Sequence, residues 1–253
     1  MIPIPIHKVL STIQKHQLRA LLMGGQACVI YGSAEFSRDV DFAILADDAN
    51  LVRLQAALDE LQAQVIAVPP FEQQYLREGL AVHFRCSHPD ANGVRVDVMS
   101  KLRGVADFAE LWDRRTSLPL PDGTLVELLS VADLVQDKKT QRDKDWPMIA
   151  RLVEVHFQVV QERGSPTAEQ IEFWCREART VLLLKGLVEN CGNAVRRLAP
   201  ERAVLQSALA GDDHSIRQAL RAEEDAEREA DRLYWLPLRA RLEELRRARR
   251  EVP

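Results

Sequence analysis

The chain has 253 residues, 46% hydrophobic and 28% charged, with 34 Lys and Arg against 38 Asp and Glu for a formal charge of -4. A chain of this size and composition buries a core without disulfides or structural metals, and its charge argues against binding nucleic acid through overall basicity, leaving only a local basic patch. Cys28, Cys86, Cys175 and Cys191 match neither a zinc clip nor a disulfide framework, so free thiols in a reducing compartment are expected. No run approaches the roughly 18 apolar residues of a membrane span, and MIPIPIHKVLSTIQ lacks a signal-peptide pattern, so a cytoplasmic location and no membrane partner are expected.

In chain order, Ile6, Leu10 and Ile13 predict an amphipathic opening helix, and RALLM (19–23) a buried strand ending at Gly24-Gly25. A helix over 25–32, a strand at RDVDFAIL (38–45), a helix over 50–62 with Leu51, Leu54, Leu58 and Leu61 inward, and a strand at QVIAV (64–68) follow. LAVHFRC and VRVDVMS flank the turn HPDANG as a hairpin. Beyond them come a helix over 106–115, two short strands around Pro121-Asp122-Gly123, and helices near 130–141 and 143–158. The pattern predicts an α/β domain over 1–145 followed by a helical domain over 146–253. Its Arg/Glu/Ala/Leu-rich stretch, 217–250, reads as a solvated helix pair interrupted by Pro237, or as a surface where Arg246, Arg247, Arg249 and Arg250 dock RNA or a protein partner.

The chemistry-bearing stretch is 21–45. Asp39 and Asp41 occupy positions i and i+2 of a strand, which puts both carboxylates on one side while Val40 and Phe42 turn to a core. Like charges held that close are costly unless a cation lies between them, so a hard divalent metal such as Mg²⁺ is expected there. In GVRVDVMS (93–100), Val94, Val96 and Val98 form one face, and Arg95, Asp97 and Met99 the other. Asp97 amid valines points to an open site where cations compensate it, or to a salt bridge with Arg95 or Arg38. Three carboxylates on neighbouring strands would support two metal ions in phosphoryl or nucleotidyl transfer. Gly24 and Gly25, at a strand-to-helix turn, would let backbone N–H groups approach a phosphate. Ser33 and Ser37 lie in the intervening loop, where a phosphate contact competes with a turn or capping role.

Gly-Gly, a thirteen-residue gap, Arg38-Asp39-Val40-Asp41-Phe42 and the later Val96-Asp97-Val98 together resemble the DNA polymerase beta-like nucleotidyltransferase superfamily. The segment 128–154 is similar to the Lys-x-x-x-Arg-x-x-Asp region of AbiEii-type nucleotidyltransferase toxins, with Lys138 or Lys139, Arg142 and Asp145 at the matching positions and Asp143 competing for the acidic role. The resemblance spans about residues 20–155. It implies a mixed-sheet nucleotidyltransferase fold, with Asp39, Asp41 and Asp97 as catalytic and metal-binding carboxylates for two Mg²⁺ ions, or Mn²⁺ in their place. Gly24, Gly25, Ser37, Arg38, Lys138, Lys139, Arg142 and Asp145 become the substrate-binding residues. On a helix, either Lys138 or Lys139 would share a face with Arg142 and offset triphosphate charge.

The implied reaction moves an NMP from an NTP to an acceptor hydroxyl and releases pyrophosphate. The acceptor would be tRNA or other RNA in the manner of the toxins, with an antitoxin-like protein partner at the C-terminal helices; a small molecule such as an antibiotic is the alternative, and a protein hydroxyl a third. From another class, the chain would be a catalytically silent module that docks a partner. Serine hydrolases, P-loop NTPases and dinucleotide oxidoreductases are set aside, because GxSxG, Walker A and strand-borne GxGxxG patterns are missing. His7, His16, His83, His88, His156 and His214 have no zinc-ligand spacing and read as structural, and Trp146, Trp174 and Trp235 as packing residues.

Overall fold

The computed structural model describes residues 3–251, without the side chain of Glu251. Among them it is a mixed α/β chain of seven strands and eleven α-helices with a C-terminal helical region, and no helix is long and apolar enough to cross a membrane. Contacts divide the described residues into two compact units: 3–30, 34–137 and 234–251 form the first, and 31–33 with 138–233 the second. The sequence pattern places a boundary at 145/146; the main division falls at 137/138 and residues 234–251 belong to the first unit. The connector 138–144 sides with the helices after it, through bonds such as Lys139 Nζ to Glu177 Oε1 (2.9 Å) and Arg228 Nη1 to Asp143 Oδ1 (2.8 Å).

The first unit is built on one sheet. Its strands are β1 (Ala20–Met23), β2 (Asp39–Ile44), β3 (Gln64–Val65), β4 (Val82–Arg85), β5 (Arg95–Met99), β6 (Thr116–Pro119) and β7 (Leu125–Leu128). Their order is β3-β4-β5-β2-β1-β7-β6. The β1–β7 and β2–β5 pairs are parallel and the rest antiparallel. The cross-strand row Leu128, Leu22, Phe42, Val98, Val82 is at most 2% exposed. Each such side chain contributes roughly 1.5–3 kcal/mol by leaving water, and a one-residue slip of any strand would turn its set to the other face, so this row pins the register.

Helices α1 (Ile4–Lys15), α2 (Gly24–Ile30), α3 (Asp48–Glu60), α4 (Gln73–Glu78), α5 (Phe108–Asp113) and α6 (Val131–Asp137) belong to this unit, as does the end of the last helix. Leu10 and Ile13 of α1 line, with Phe42, a cavity of about 250 Å³ on the apolar side of the sheet. In α3, Leu54, Leu58 and Leu61 at its C-cap are buried, whereas Leu51 is half-buried. The expected strand at 64–68 keeps only its first two residues. α4 has no counterpart in the sequence reading; six residues ending at a left-handed Gly79 are too few for helical periodicity to declare itself.

The second unit holds α7 (Asp145–Arg163), α8 (Ala168–Glu177), α9 (Val181–Leu198), α10 (Ala203–Ala210) and the start of α11 (Asp213–Glu251). Trp174, Leu184, Leu187, Val195 and Leu205 are fully buried in it, and Trp174 donates its indole N–H to His156 Nδ1 (2.9 Å). Where a helix pair broken at Pro237 is expected, α11 runs through the proline. A proline removes one N–H and crowds the carbonyl four residues earlier, here Leu233, and a 39-residue helix absorbs that local loss. All four cysteines are free thiols, and burial pushes Cys86 and Cys175 up to about 11.

The α1–α3 packing carries one concentrated charge contact. Glu60 Oε2 receives Lys15 Nζ (2.8 Å) and His16 Nε2 (2.8 Å), and Oε1 receives Lys8 Nζ (2.9 Å). Lys15 first, then Lys8 and His16, lower the Glu60 carboxyl from 4.5 to about 2. A carboxyl depressed by folding stabilises above its unfolded value and loses that contribution as pH falls through the folded one. With the Glu60 side chain 22% exposed, Glu60→Gln is expected to cost about 1–2 kcal/mol at pH 7. The difference from wild type, read from urea midpoints, should shrink as pH drops from about 4.5 toward about 2.

Candidate active site

Opposite the apolar row, the same strands present charge. β2 alternates half-buried Asp39 and Asp41 with buried Val40 and Phe42, and β5 alternates Arg95, Asp97 and Met99 with buried Val96 and Val98. The parallel pairing sets Asp41 beside Asp97 and Asp39 beside Arg95, and the antiparallel β4 adds His83 beside Asp97. Paired residues share a face, so His83, Asp97, Asp41 and Met23 form one row, with Asp39, Arg95 and Arg85 in the next.

The Gly-Gly turn is explained by two of these neighbours. Gly24, at φ +65°, starts α2, and a Cβ built on it would stand 2.0 Å from Asp41 Oδ2 and 2.9 Å from Asp41 Cβ. A Cβ on Gly25 would stand 2.7 Å from Ser37 Oγ. The glycines thus make room for the second carboxylate and for a hydroxyl that itself bonds the Asp39 carbonyl (3.2 Å). Arg38 is exposed and lies over the Phe36 ring at 5.6 Å. Ser33 is buried. Gln26, in the first turn of α2, is 1% exposed, and neither its amide oxygen nor its amide nitrogen has a hydrogen-bond partner within the protein.

Asp97 bonds within its own sheet. Its Oδ1 receives Arg95 Nε (2.8 Å) and lies 2.9 Å from His83 Nδ1. Arg95 Nη2 is 3.0 Å from the same His83 nitrogen. A ring nitrogen either donates or accepts, so His83 Nδ1 serves Asp97 in one tautomer and Arg95 in the other. Burial pushes the Asp97 carboxyl up, and the bonds from His83 and Arg95 outweigh it, leaving the group below the usual carboxylate range. Asp97 holds the Arg95 guanidinium above its own, with added attraction from Asp39 and Asp41. The sequence reading treats His83 as structural; the signal for it is the hairpin alternation, which puts it on Asp97's face once β4 pairs with β5.

A hard divalent cation suits these residues in chemistry, since three carboxylates supply an all-oxygen donor set. In placement, no group of three or more His, Cys, Asp or Glu among the described residues converges closely enough to hold a metal. One Asp97 oxygen is already bonded to Arg95 and close to His83.

The cations expected after the sheet lie in the second unit. α6 ends at Asp137 and α7 begins at Asp145, so Lys138, Lys139 and Arg142 sit in a non-helical connector, and the helical i, i+3 or i+4 spacing does not apply. The connector escapes the helix because carboxylates take its donors. Thr140 Oγ1 bonds Asp145 Oδ2 (2.6 Å) and the Gln141 N–H bonds Asp231 Oδ2 (3.0 Å). Asp145, fully buried, also receives Arg142 Nε (2.8 Å) and lies 3.6 Å from Lys138 Nζ. Lys139 lies 2.9 Å from Glu177 and 3.6 Å from Glu227. Asp143, 98% exposed in its side chain, binds Arg228. Lys138, Arg142 and Asp145 are therefore brought together, and Lys139 belongs to a different set of partners.

No protein-family model matches the chain, and no curated protein registers as a relative.

Gly24→Ala should cost about 1–3 kcal/mol, because positive φ and the backbone-fixed Asp41 Cβ both oppose the methyl. Gly25→Ala meets a rotatable hydroxyl and should cost less, with part of that cost recovered by Ser37→Ala. Urea unfolding of the two single variants and the Gly25→Ala/Ser37→Ala double variant checks the ranking.

Proposed function

We propose that the chain is a Mg²⁺-dependent nucleotidyltransferase that moves an NMP from an NTP to an acceptor hydroxyl. The observation that carries this reading is the β2–β5 register, which aligns Asp39, Asp41 and Asp97 on one face beside a Gly-Gly turn. The unpartnered amide of the buried Gln26 in that turn adds polar groups with nothing in the protein to satisfy them. Asp39 and Asp41 would hold the cation, with Asp97 completing the carboxylate set. Bound there, a divalent cation supplies the positive charge that offsets the triphosphate and the leaving pyrophosphate. Asp41 and Ser37 pack against Gly24 and Gly25 at the start of α2, where Ser37 and Arg38 would offer a phosphate a hydroxyl and an exposed guanidinium. The acceptor oxygen then bonds the α-phosphorus as the bond to pyrophosphate breaks.

One feature favours RNA over a small molecule as acceptor. Arg246, Arg249 and Arg250 line, with Ala67 and Val68, an open cavity of about 380 Å³ in the same unit, a concentration of positive charge suited to a phosphodiester backbone.

The test is transfer of label from each α-labelled NTP, with Mg²⁺, into RNA, protein and small-molecule fractions. Label is expected in RNA, falling about a hundredfold or more in Asp41→Asn while the urea midpoint shows a folded protein. Full transfer by Asp41→Asn would refute the site, and label in the small-molecule fraction alone would refute the RNA acceptor.

A further inference from the structure

The apolar side of the sheet carries a cavity with a chemistry of its own. β1 and β7 pair at Leu22 and Leu128, and two residues earlier Ala20 and Val126 line the cavity of about 250 Å³. Its lining runs from Leu10, Ala20 and Phe42, each at most 3% exposed, to Leu125, 40% exposed, and the exposed Gln14 and Gln17, so it opens to solvent. An apolar cavity of about 150 Å³ holds benzene; one of about 250 Å³ has room for a ring with a short chain. Phe42 follows Asp41 along β2, so the cavity and the carboxylates lie on opposite faces of the sheet.

Two charged residues, Arg19 and Glu127, belong to the lining. Glu127 is engaged, its Oε2 receiving Arg115 Nε (2.8 Å) and the Ser117 hydroxyl. Arg115 in turn gives Nη1 to the Trp112 carbonyl (2.6 Å). Arg19 has no such pairing. Its guanidinium lies over the Trp112 ring at 4.9 Å and the Phe108 ring at 6.0 Å, and no carboxylate among the described residues pairs with it. Half-buried against two rings, it keeps a planar fork of N–H donors, the geometry that matches a carboxylate with two parallel bonds. Arg53, which gives Nη1 to the Gln17 carbonyl (3.2 Å), adds positive charge at the mouth. We propose that this cavity binds a small monocarboxylate with a compact apolar body. The body lies against Phe42 and Trp112, and the carboxylate takes Arg19. An apolar interior with one uncommitted, ring-held cation at its edge is the usual build of a small-molecule site: area supplies affinity and the single polar group fixes orientation. The site does not depend on the nucleotidyltransferase reading.

The probe is phenylpropionate, with phenylpropanol and phenylpropylamine as its neutral and cationic counterparts. The readout is the indole N–H resonance of Trp112, assigned by its loss in Trp112→Phe. Phenylpropionate should shift it and leave the indole resonances of Trp146, Trp174 and Trp235, which do not line the cavity, in place. Titration of wild type should give about tenfold tighter binding for the acid than for the alcohol, the scale of a charge-assisted hydrogen-bond pair, and weaker binding still for the amine. Arg19→Met keeps an apolar stem against the rings; it should bring the acid down to the level of the alcohol and leave the alcohol unchanged, with the urea midpoint showing a folded protein. An acid that wild type binds no tighter than the alcohol overturns the carboxylate assignment, whatever the variant's stability. So does an acid affinity unchanged in folded Arg19→Met. A Trp112 resonance unmoved by all three probes at millimolar concentration overturns the cavity as a binding site.

Discussion

The parallel pairing of β2 with β5 is the constraint on which the first unit's candidate chemistry depends. Asp41 and Asp97 are 56 residues apart in the chain, and nothing local brings them side by side. What does so is the apolar set on the other face, Val40 and Phe42 against Val96 and Val98, all at most 2% exposed. Moving either strand by one residue would bury carboxylates and expose Phe42 or Val98, a penalty far larger than the repulsion among the carboxylates. The core thus forces a charged arrangement that the charges alone would avoid, and Arg95 and His83 make it tolerable.

The two units handle buried charge differently. In the second unit, Lys139 is matched by Glu177 and Glu227, Arg202 by Glu223 with two backbone carbonyls, and Asp145 by Lys138 and Arg142. Arg179, 8% exposed in its side chain, is lowered chiefly by burial and then by Arg202, and its guanidinium lies over the Trp146 ring at 5.3 Å. Such networks fix how helices meet more than they add to stability, since desolvation consumes most of the attraction. On the carboxylate face of the first unit, Asp39, Asp41 and Asp97 are interleaved with Arg95, Arg85 and His83 along neighbouring strands.

The Gly-Gly pair is a case where one sequence feature serves a nearer purpose than the one usually read from it. Its glycines clear space for Asp41 and Ser37, side chains of this protein. That packing ties the start of α2 to the middle of β2, so the turn and the carboxylates form one rigid piece.

The strand alternations at 38–45 and 93–100 made the sharing of a face by Asp39 and Asp41, and by Arg95 and Asp97, legible in the sequence, because side-chain direction on a strand follows a period of two whatever the strand pairs with. The opening helix, the hairpin and the helical C-terminal region were legible for the same local reason. The tertiary structure decided what periodicity does not encode. That Asp97 bonds Arg95 rather than Arg38 and also neighbours His83, and that Lys138 rather than Lys139 meets Asp145, is a choice among several charged partners, and a charge does not name its partner. The break of helix at 138–144 came from side-chain carboxylates capturing backbone and hydroxyl donors across the second unit, and the run of α11 through Pro237 from a long helix outweighing one lost bond. Local pattern settled which way each side chain points; long-range packing and charge pairing settled what it meets.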